Sequence, residues 1–437
     1  MNTEQIYEIY LQYPLICTDT RAIKKDSIFF ALKGPHFNAN TFAASALEKG
    51  AAYAVIDDAS QKINEQYIIV DDVLSTLQLL AQFHRSTFLI PVIAIVGSNG
   101  KTTTKELLTA VLKTTFNVHA TLGNFNNHIG LPLTLLQLTK AHDVAIIEMG
   151  ANHIGENAAL CEIACPTLGI ITNNGKDHLE GFGSVEGVAK SNSELYYYLL
   201  KNKGTAFVNA NDEWLMRMAQ RLSTKITYAA NAENKNQQAN IIGLAAALRP
   251  QIKFTYFHNQ VFTHYEITSN LSGDYNFDNI MAAVAIGNYL NVTEENVKIG
   301  IENYQPSNNR SQNIQKTHNI IFLDAYNANP SSMEASLRNF AAMPFNHKIA
   351  IIGDMFELGE FSKQEHINMI DYCSKLTIEE VWLVGETFAS LEAKGMKQFL
   401  TTADAMAFLK QNPITNYHVF IKGSRGMKLE TLVDFID

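Results

Sequence analysis

The sequence is short of cysteine, of net positive charge and of long apolar runs, and each shortage removes a class of function. It has four cysteines, Cys17, Cys161, Cys165 and Cys373, too few for a disulfide framework in a chain of this size. Cys161 and Cys165 are expected to be helix neighbours and could form half of a metal site. No second Cys or His pair stands close by with matching spacing, so they read as buried free thiols. The formal net charge is −9, and no basic stripe with interleaved aromatics is present. That argues against nucleic acid as a partner but leaves room for a local cationic pocket. No apolar run approaches the ~20 residues needed to cross a bilayer. Residues 1–10 are polar and acidic, with no basic start and no apolar segment, so no secretory signal is expected and the expected location is cytoplasmic. Internal repeats and low-complexity tracts are absent as well.

What is present is a globular chain of 437 residues, 46% apolar and 18% charged, with an expectation of two to four domains. Residues 27–32, 53–56 and 67–70 are short β-rich runs. Residues 41–49 and 73–88 read as helical, and Pro91 marks a boundary. From there strand-like runs alternate with helical patterns; 143–148 and 168–172 are two of them, short, apolar and β-branched. That alternation predicts an α/β fold with a doubly wound parallel sheet. Residues 226–272 differ: 252–256 and 261–267 read as antiparallel hairpin strands, followed by a helix over about 276–290. Residues 303–315 are polar and hinge-like around 305–309. Strand-like runs at 320–323, 348–352, 381–384 and 419–421 then predict a second, smaller α/β unit.

The most informative segment is the apolar run 91–96 followed by Gly97, Ser98, Asn99, Gly100, Lys101, Thr102 and Thr103. A strand, a glycine turn and a helix start make a phosphate cradle. Backbone N–H groups face an anion, a lysine neutralises it and a threonine hydroxyl can hold magnesium. The common P-loop has four residues between its glycines; here only Ser98 and Asn99 intervene. A bland Gly-Lys turn is the alternative, and the strand before and helix after argue against it.

Three more features point to the same end of the sheet. Glu148 closes a buried strand, where a carboxylate is costly unless paired or bound to a metal; a helix cap or surface acid is the other reading. His178 lies in the loop after the next strand, beside Glu148 across adjacent strand ends. A lone loop histidine is usually just solvated. Residues 121–132 include Asn124, Asn126 and Asn127, which form either a turn or a set of amides directed at a polar substrate.

Several segments in matching order resemble the Mur ligase family along almost the whole chain. They are Glu148-Met149-Gly150-Ala151-Asn152-His153-Ile154-Gly155-Glu156, His178-Leu179-Glu180-Gly181-Phe182-Gly183, Tyr326-Asn327-Ala328-Asn329-Pro330, Gly353-Asp354-Met355 with Glu357-Leu358-Gly359, and Lys422-Gly423-Ser424-Arg425. The resemblance implies three domains. Residues 1–88 would be a small α/β UDP-sugar-binding domain, 89–304 a central P-loop-type parallel-sheet ATPase domain, and 305–437 a C-terminal Rossmann-like α/β domain that closes over the nucleotide. It implies an ATP-dependent amide ligase, acting as a monomer, that joins D-alanyl-D-alanine to UDP-N-acetylmuramoyl-tripeptide through an acyl phosphate in cytoplasmic peptidoglycan precursor synthesis.

Carried over by resemblance, Lys101, Glu148 and His178 are catalytic. Residues Gly97 to Thr103 bind the ATP phosphates, Asn279 contacts adenine, and Arg310, Asp324 and Tyr326 reach ATP on closure. Thr102 and Glu148 hold one Mg2+ and His178 helps hold a second. Thr20, Arg21, Lys33 and Gly34 belong to the UDP-sugar site; Asn126 and Asn127 lie near substrate. Three departures from the family pattern stand out. Tyr275 replaces a frequent His beside the adenine site. Asn38-Ala39-Asn40 stands where the family often has Asp-Gly-His. Asn192 occupies the place of a lysine that is carbamylated in most members, with Lys190 or Glu194 as possible substitutes. The alternatives are another Mur-type or folylpolyglutamate-type amide ligase, or a nucleotide-binding relative that has lost catalysis.

Overall fold

The computed structural model describes residues 1–230, 239–258 and 261–437. Among these residues, three principal sheets succeed one another along the chain. The first has four parallel strands in sequence order, Leu15–Cys17, Ser27–Phe30, Tyr53–Ile56 and Tyr67–Ile69. Two helices join it to the second sheet. Thr3–Gln12 opens on a capping box at Asn2, and Val73–Ser86 is capped by the Asp72 carboxylate, each satisfying N–H groups the helix itself leaves free. Their apolar faces, with Ile6, Tyr10, Leu77 and Leu80, enter the same core as Val92, Ala94 and Ile147 of the second sheet. The boundary expected at Pro91 is therefore bridged by packing. Buried Arg85 adds polar ties, donating to the carbonyls of Ala164, Cys165 and Phe88.

The second sheet has ten strands. Seven run parallel, in the spatial order Val118–Ala120, Val144–Glu148, Val92–Val96, Leu168–Ile171, Thr205–Asn209, Lys225–Ala230 and Ile241–Ala247. Both faces are covered, which is why its inner strands are apolar throughout rather than alternating. Lys101–Leu112 and Asp274–Tyr289 cover one face through Leu107, Leu108, Phe277 and Ile280; Val185–Lys201 covers the other through Leu195, Tyr196 and Leu199.

Strand order reverses at Val92–Val96, the position where open α/β sheets bind ligands at their carboxyl ends. This corrects one expectation. Glu148 and the loop carrying His178 do not leave adjacent strands, because the phosphate-loop strand lies between theirs.

The expected antiparallel region is present but is not separate. Ile252–His258 pairs antiparallel with Ile241–Ala247 and so extends the central sheet. The run 261–267 is not one strand: Val261–Phe262 and Ile267–Ser269 each pair with Ile252–His258. Residues 231–238 and 259–260 of this region lie outside the described residues.

The third sheet has six strands in the order Gln312–Gln315, Ile320–Leu323, His418–Lys422, Lys348–Gly353, Glu380–Val384 and Lys397–Phe399, the first antiparallel and the rest parallel. Residues 312–315, expected to belong to a polar linker, form its edge strand. The exposed Asn313 and Gln315 side chains suit an edge, where only one side of the backbone is paired. The two middle cysteines also differ from expectation. Cys161 is inside Glu156–Ala164, whereas Cys165 ends that helix in left-handed backbone with φ 45°. All four thiols are free, with Cys17 and Cys165 only partly buried.

Replacing Arg85 by Leu removes the donors of three carbonyls at the junction of the first two sheets. The expected outcome is a loss of about 2 kcal/mol of stability, read as a lower urea midpoint. An unchanged midpoint would show that solvent satisfies those carbonyls.

Candidate active site

The phosphate loop is set by its contacts with the next strand end. Gly97 and Gly100 have φ of 125° and 79°. A Cβ at Gly97 would stand 2.2 Å from Thr172 Oγ1, and one at Gly100 would stand 2.5 Å from Asn279 Oδ1, so neither position accepts a side chain. Ser98 N donates to Asn173 O and Asn99 N to Asn173 Oδ1, both at 3.1 Å. Thr172 Oγ1 donates to Asn99 O at 2.6 Å. The twelve-residue helix Lys101–Leu112 begins at Gly100 without a side-chain cap, so its N-terminal N–H groups and dipole remain available to an anion. The Lys101 ammonium lies over its own loop, bonded to the carbonyls of Gly97 and Ser98.

Glu148 stands behind this loop, 2% exposed. Its Oε1 accepts from Thr102 Oγ1 at 3.1 Å and from Asn126 Nδ2 at 2.9 Å. Its Oε2 is buried with no hydrogen-bond partner. The nearest cation is Lys105, 3.7 Å away, whose ammonium donates to Thr121 O. One turn after Lys101 on the same helix, Lys105 faces inward and compensates a charge that burial would otherwise make costly. One oxygen of the carboxylate is hydrogen-bonded and the other is not, an arrangement that leaves Oε2 a free acceptor.

A third wall comes from the C-terminal sheet. Asn329 Nδ2 donates to Asn99 Oδ1 at 2.8 Å, bringing residue 329 onto the phosphate loop. Lys176 N donates to Ser331 Oγ at 2.9 Å, and the Lys176 ammonium pairs with Glu365 at 2.7 Å. His178 Nδ1 meets Glu357 Oε2 at 2.7 Å, and the hydrogen bond from His178 holds the Glu357 carboxyl below the usual range. The Arg310 guanidinium stacks on Tyr326 at 3.7 Å, with Arg425 at 5.3 Å from the same ring. Asp324 pairs with Lys422 at 2.7 Å.

These walls enclose about 670 Å3. Lys101, Thr102, Glu148, His178, Asn126, Asn127, Asn279, Arg310, Asp324 and Tyr326 all line it, so residues distant in sequence meet in one space. Tyr275 lines it as well, and so does Asp278, whose carboxyl burial pushes up to about 7.

The four residues assigned to a UDP-sugar site do not line this cavity or the second one, of about 850 Å3. Arg21 is exposed and paired with Asp19. Lys33 pairs with Asp57 at 2.7 Å, Gly34 lies in a two-stranded ribbon with Phe37, and Thr20 O accepts from Lys49. The second cavity is lined instead by Thr18, Asp19 and Lys24, and shares Asn124 and Asn127 with the first.

Asn192 is buried on the inner face of its helix, with Nδ2 donating to Asn174 Oδ1 at 3.1 Å. Lys190 is exposed, as a two-residue offset on a helix requires. Glu194 is committed elsewhere, accepting from Gly155 N and Ala158 N at the start of Glu156–Ala164.

Comparison with known proteins fits this geometry. The Mur ligase middle domain matches residues 95–287, and the Mur ligase, glutamate ligase domain matches 309–425. The chain belongs to the Mur ligase family. The UDP-N-acetylmuramoyl-tripeptide--D-alanyl-D-alanine ligase of Bacillus subtilis is 33% identical, over 96% of this chain and 92% of its own length; the Escherichia coli enzyme of that name is 34% identical with the same coverage. Among solved structures, MurF from Acinetobacter baumannii superposes with a TM-score of 0.86 at 31% identity, covering 96% of this chain and 92% of that one. The first Mur ligase match spans the phosphate loop, Glu148, His178 and Asn279; the second spans Arg310, Asp324, Tyr326 and Glu357.

One residue and one contact of the site escape a reading of the sequence alone. Lys105 is detectable in principle, being four residues after Lys101 on a helix. Glu357 carries no local signal linking it to His178, far away in the chain.

Lys105→Met removes the cation facing Glu148 and is expected to cost about 3–5 kcal/mol, measured by urea denaturation. Adding Glu148→Gln should restore more than half of that loss, because the uncompensated charge disappears with it. Additive losses would show that the pair is not coupled.

Proposed function

We propose that the protein is an ATP-dependent amide ligase that joins D-alanyl-D-alanine to UDP-N-acetylmuramoyl-tripeptide in cytoplasmic peptidoglycan precursor synthesis, acting as a monomer. The observation that carries the reading is the single cavity in which the phosphate loop, half-satisfied Glu148 and the C-terminal Arg310, Asp324 and Tyr326 converge. The near full-length likeness to ligases of that name supports the substrate pair. Residues 1–88, 89–304 and 305–437 would then serve UDP-sugar binding, ATP binding and closure, with Thr20, Arg21, Lys33 and Gly34 on the uridine side. No described helix is long and apolar enough to cross a membrane, in keeping with a soluble substrate.

The residues fit magnesium. No group of three or more His, Cys, Asp or Glu among the described residues forms a closed metal cage. Magnesium commonly takes one or two carboxylates and completes its shell with phosphates and water. Thr102 and Glu148, through its unmatched Oε2, would hold one magnesium, and His178 would help hold a second. When bound, it would neutralise phosphate charge and polarise the phosphoryl oxygens.

The chain's own part is positioning and electrostatics. The helix N-terminus and Lys101 hold the β- and γ-phosphates; Asn279 orients the base. Asn126 and Asn127 present amides to the tripeptide carboxylate. That carboxylate takes the γ-phosphoryl group, and the amine of D-alanyl-D-alanine then attacks the acyl carbon and phosphate leaves. Arg310 approaches from the C-terminal side, and excluding water protects the acyl phosphate from hydrolysis.

ADP formation in the presence of tripeptide substrate and D-alanyl-D-alanine together tests this reading. Substrate-independent ADP release, or equal turnover with glutamate as the amine, would overturn it. Lys101→Ala is expected to lower turnover ~10²-fold or more while leaving UDP-substrate affinity within about twofold; a folded variant with above a tenth of parental activity would contradict the role given to Lys101.

Asn192 points to a ligase that works without a carbamate. Asparagine cannot take up CO₂, Lys190 faces solvent, and Glu194 caps a helix. Activity is expected to be unchanged by removing CO₂ and by adding bicarbonate; recovery of activity on adding bicarbonate would overturn this.

A further inference from the structure

The contact between His178 and Glu357 joins two loops that the chain holds far apart in sequence, and both residues adopt left-handed backbone, with φ of 43° and 62°. Such conformations are uncommon outside glycine and asparagine and persist where surrounding contacts fix them. Here the contacts are explicit. Glu180 N donates to Glu357 O at 3.3 Å, Gly359 packs against Glu180, and the carboxylate of Glu357 meets His178 Nδ1 at 2.7 Å. Glu357 Oε2 is an acceptor only, so the imidazole nitrogen 2.7 Å from it must carry a proton, and a ring with a single proton has it on Nδ1. Nε2 is then the nitrogen with a free lone pair.

We propose that Glu357 is a positioning residue for His178: it fixes the tautomer and orientation of the imidazole so that Nε2 serves as the metal-binding atom. This rests on the reading of His178 as a metal ligand. Histidines that bind metals regularly donate their other N–H to a carboxylate, and losing that partner typically costs 10–100-fold in metal affinity. The placement adds a consequence. His178 comes after a strand of the central sheet, whereas Glu357 comes after a strand of the C-terminal sheet. The histidine is therefore held in its ligating form only while the C-terminal unit is docked, as it is here through Asn329, Ser331 and Glu365. Docking and metal affinity become one event. Glu357 touches no reacting atom in this account.

The test uses the full chain with a non-hydrolysable ATP analogue and Mn2+ as the probe, free manganese being read by electron paramagnetic resonance. Glu357→Gly and Glu357→Asn both suit a positive φ and neither reaches His178. Each is expected to weaken Mn2+ binding about 10-fold or more with no fall in melting temperature. Glu357→Gln keeps an acceptor on a side chain of the same length, and its affinity is expected to stay within about threefold of the parent. In turnover, the Gly and Asn variants should need more Mg2+ for half-maximal rate yet recover most of kcat at saturation. Parental Mn2+ affinity in a folded Gly or Asn variant, alongside weakened binding in His178→Ala, overturns the proposal and leaves His178 as a ligand. Parental affinity in His178→Ala overturns both.

Discussion

A buried carboxylate with only one of its oxygens satisfied is the constraint on which this structure turns. Glu148 is fixed from three directions, by Thr102 of the phosphate-loop helix, Asn126 of the asparagine-rich segment and Lys105 one helical turn further on. Each of those segments must be where it is for the charge to be tolerable in the interior. The remaining oxygen, Oε2, faces Lys105 at 3.7 Å and accepts no hydrogen bond. The helix whose uncapped N-terminus opens on the cavity also carries the cation that faces Glu148.

The second element is the strand order. Because the chain reverses direction across the sheet at Val92–Val96, the ends of Val144–Glu148 and Leu168–Ile171 flank the phosphate loop on either side. The loop after Leu168–Ile171 is a strap. Its first residues, Thr172 and Asn173, hold Asn99, and its later ones, Lys176 and His178, hold the C-terminal unit. The C-terminal unit reaches the cavity through this strap and through Asn329, so the cavity is a product of docking rather than of any one sheet.

The parallel central sheet, the phosphate loop and Glu148 are legible in the sequence because each has a local signature: buried β-branched runs, glycines flanking a strand and helix, an acid at a strand end. Family resemblance adds the distant residues Asn279, Arg310, Asp324 and Tyr326, and the structure brings all four to one cavity. The features that escape the sequence are non-local. Periodicity gives strands but not their neighbours, so Glu148 and His178 read as residues of adjacent strand ends when they are not. The edge strand Gln312–Gln315 is too polar to register as a strand and forms because Ile320–Leu323 offers an open side. Helix termini set by left-handed residues, as at Cys165, are likewise invisible to spacing. The Glu357 contact depends on two loops meeting; both residues stand in family-like segments, but nothing in the sequence pairs them.

The central claim is that this cavity activates a carboxylate by transferring to it the γ-phosphoryl group of ATP. The most direct measurement tracks oxygen. With the tripeptide carboxylate labelled with 18O and D-alanyl-D-alanine as acceptor, the released phosphate is analysed by mass spectrometry. The account predicts that the phosphate carries an 18O atom from the carboxylate, because the bridging oxygen of an acyl phosphate leaves with phosphorus. Amide formation with unlabelled phosphate would contradict it.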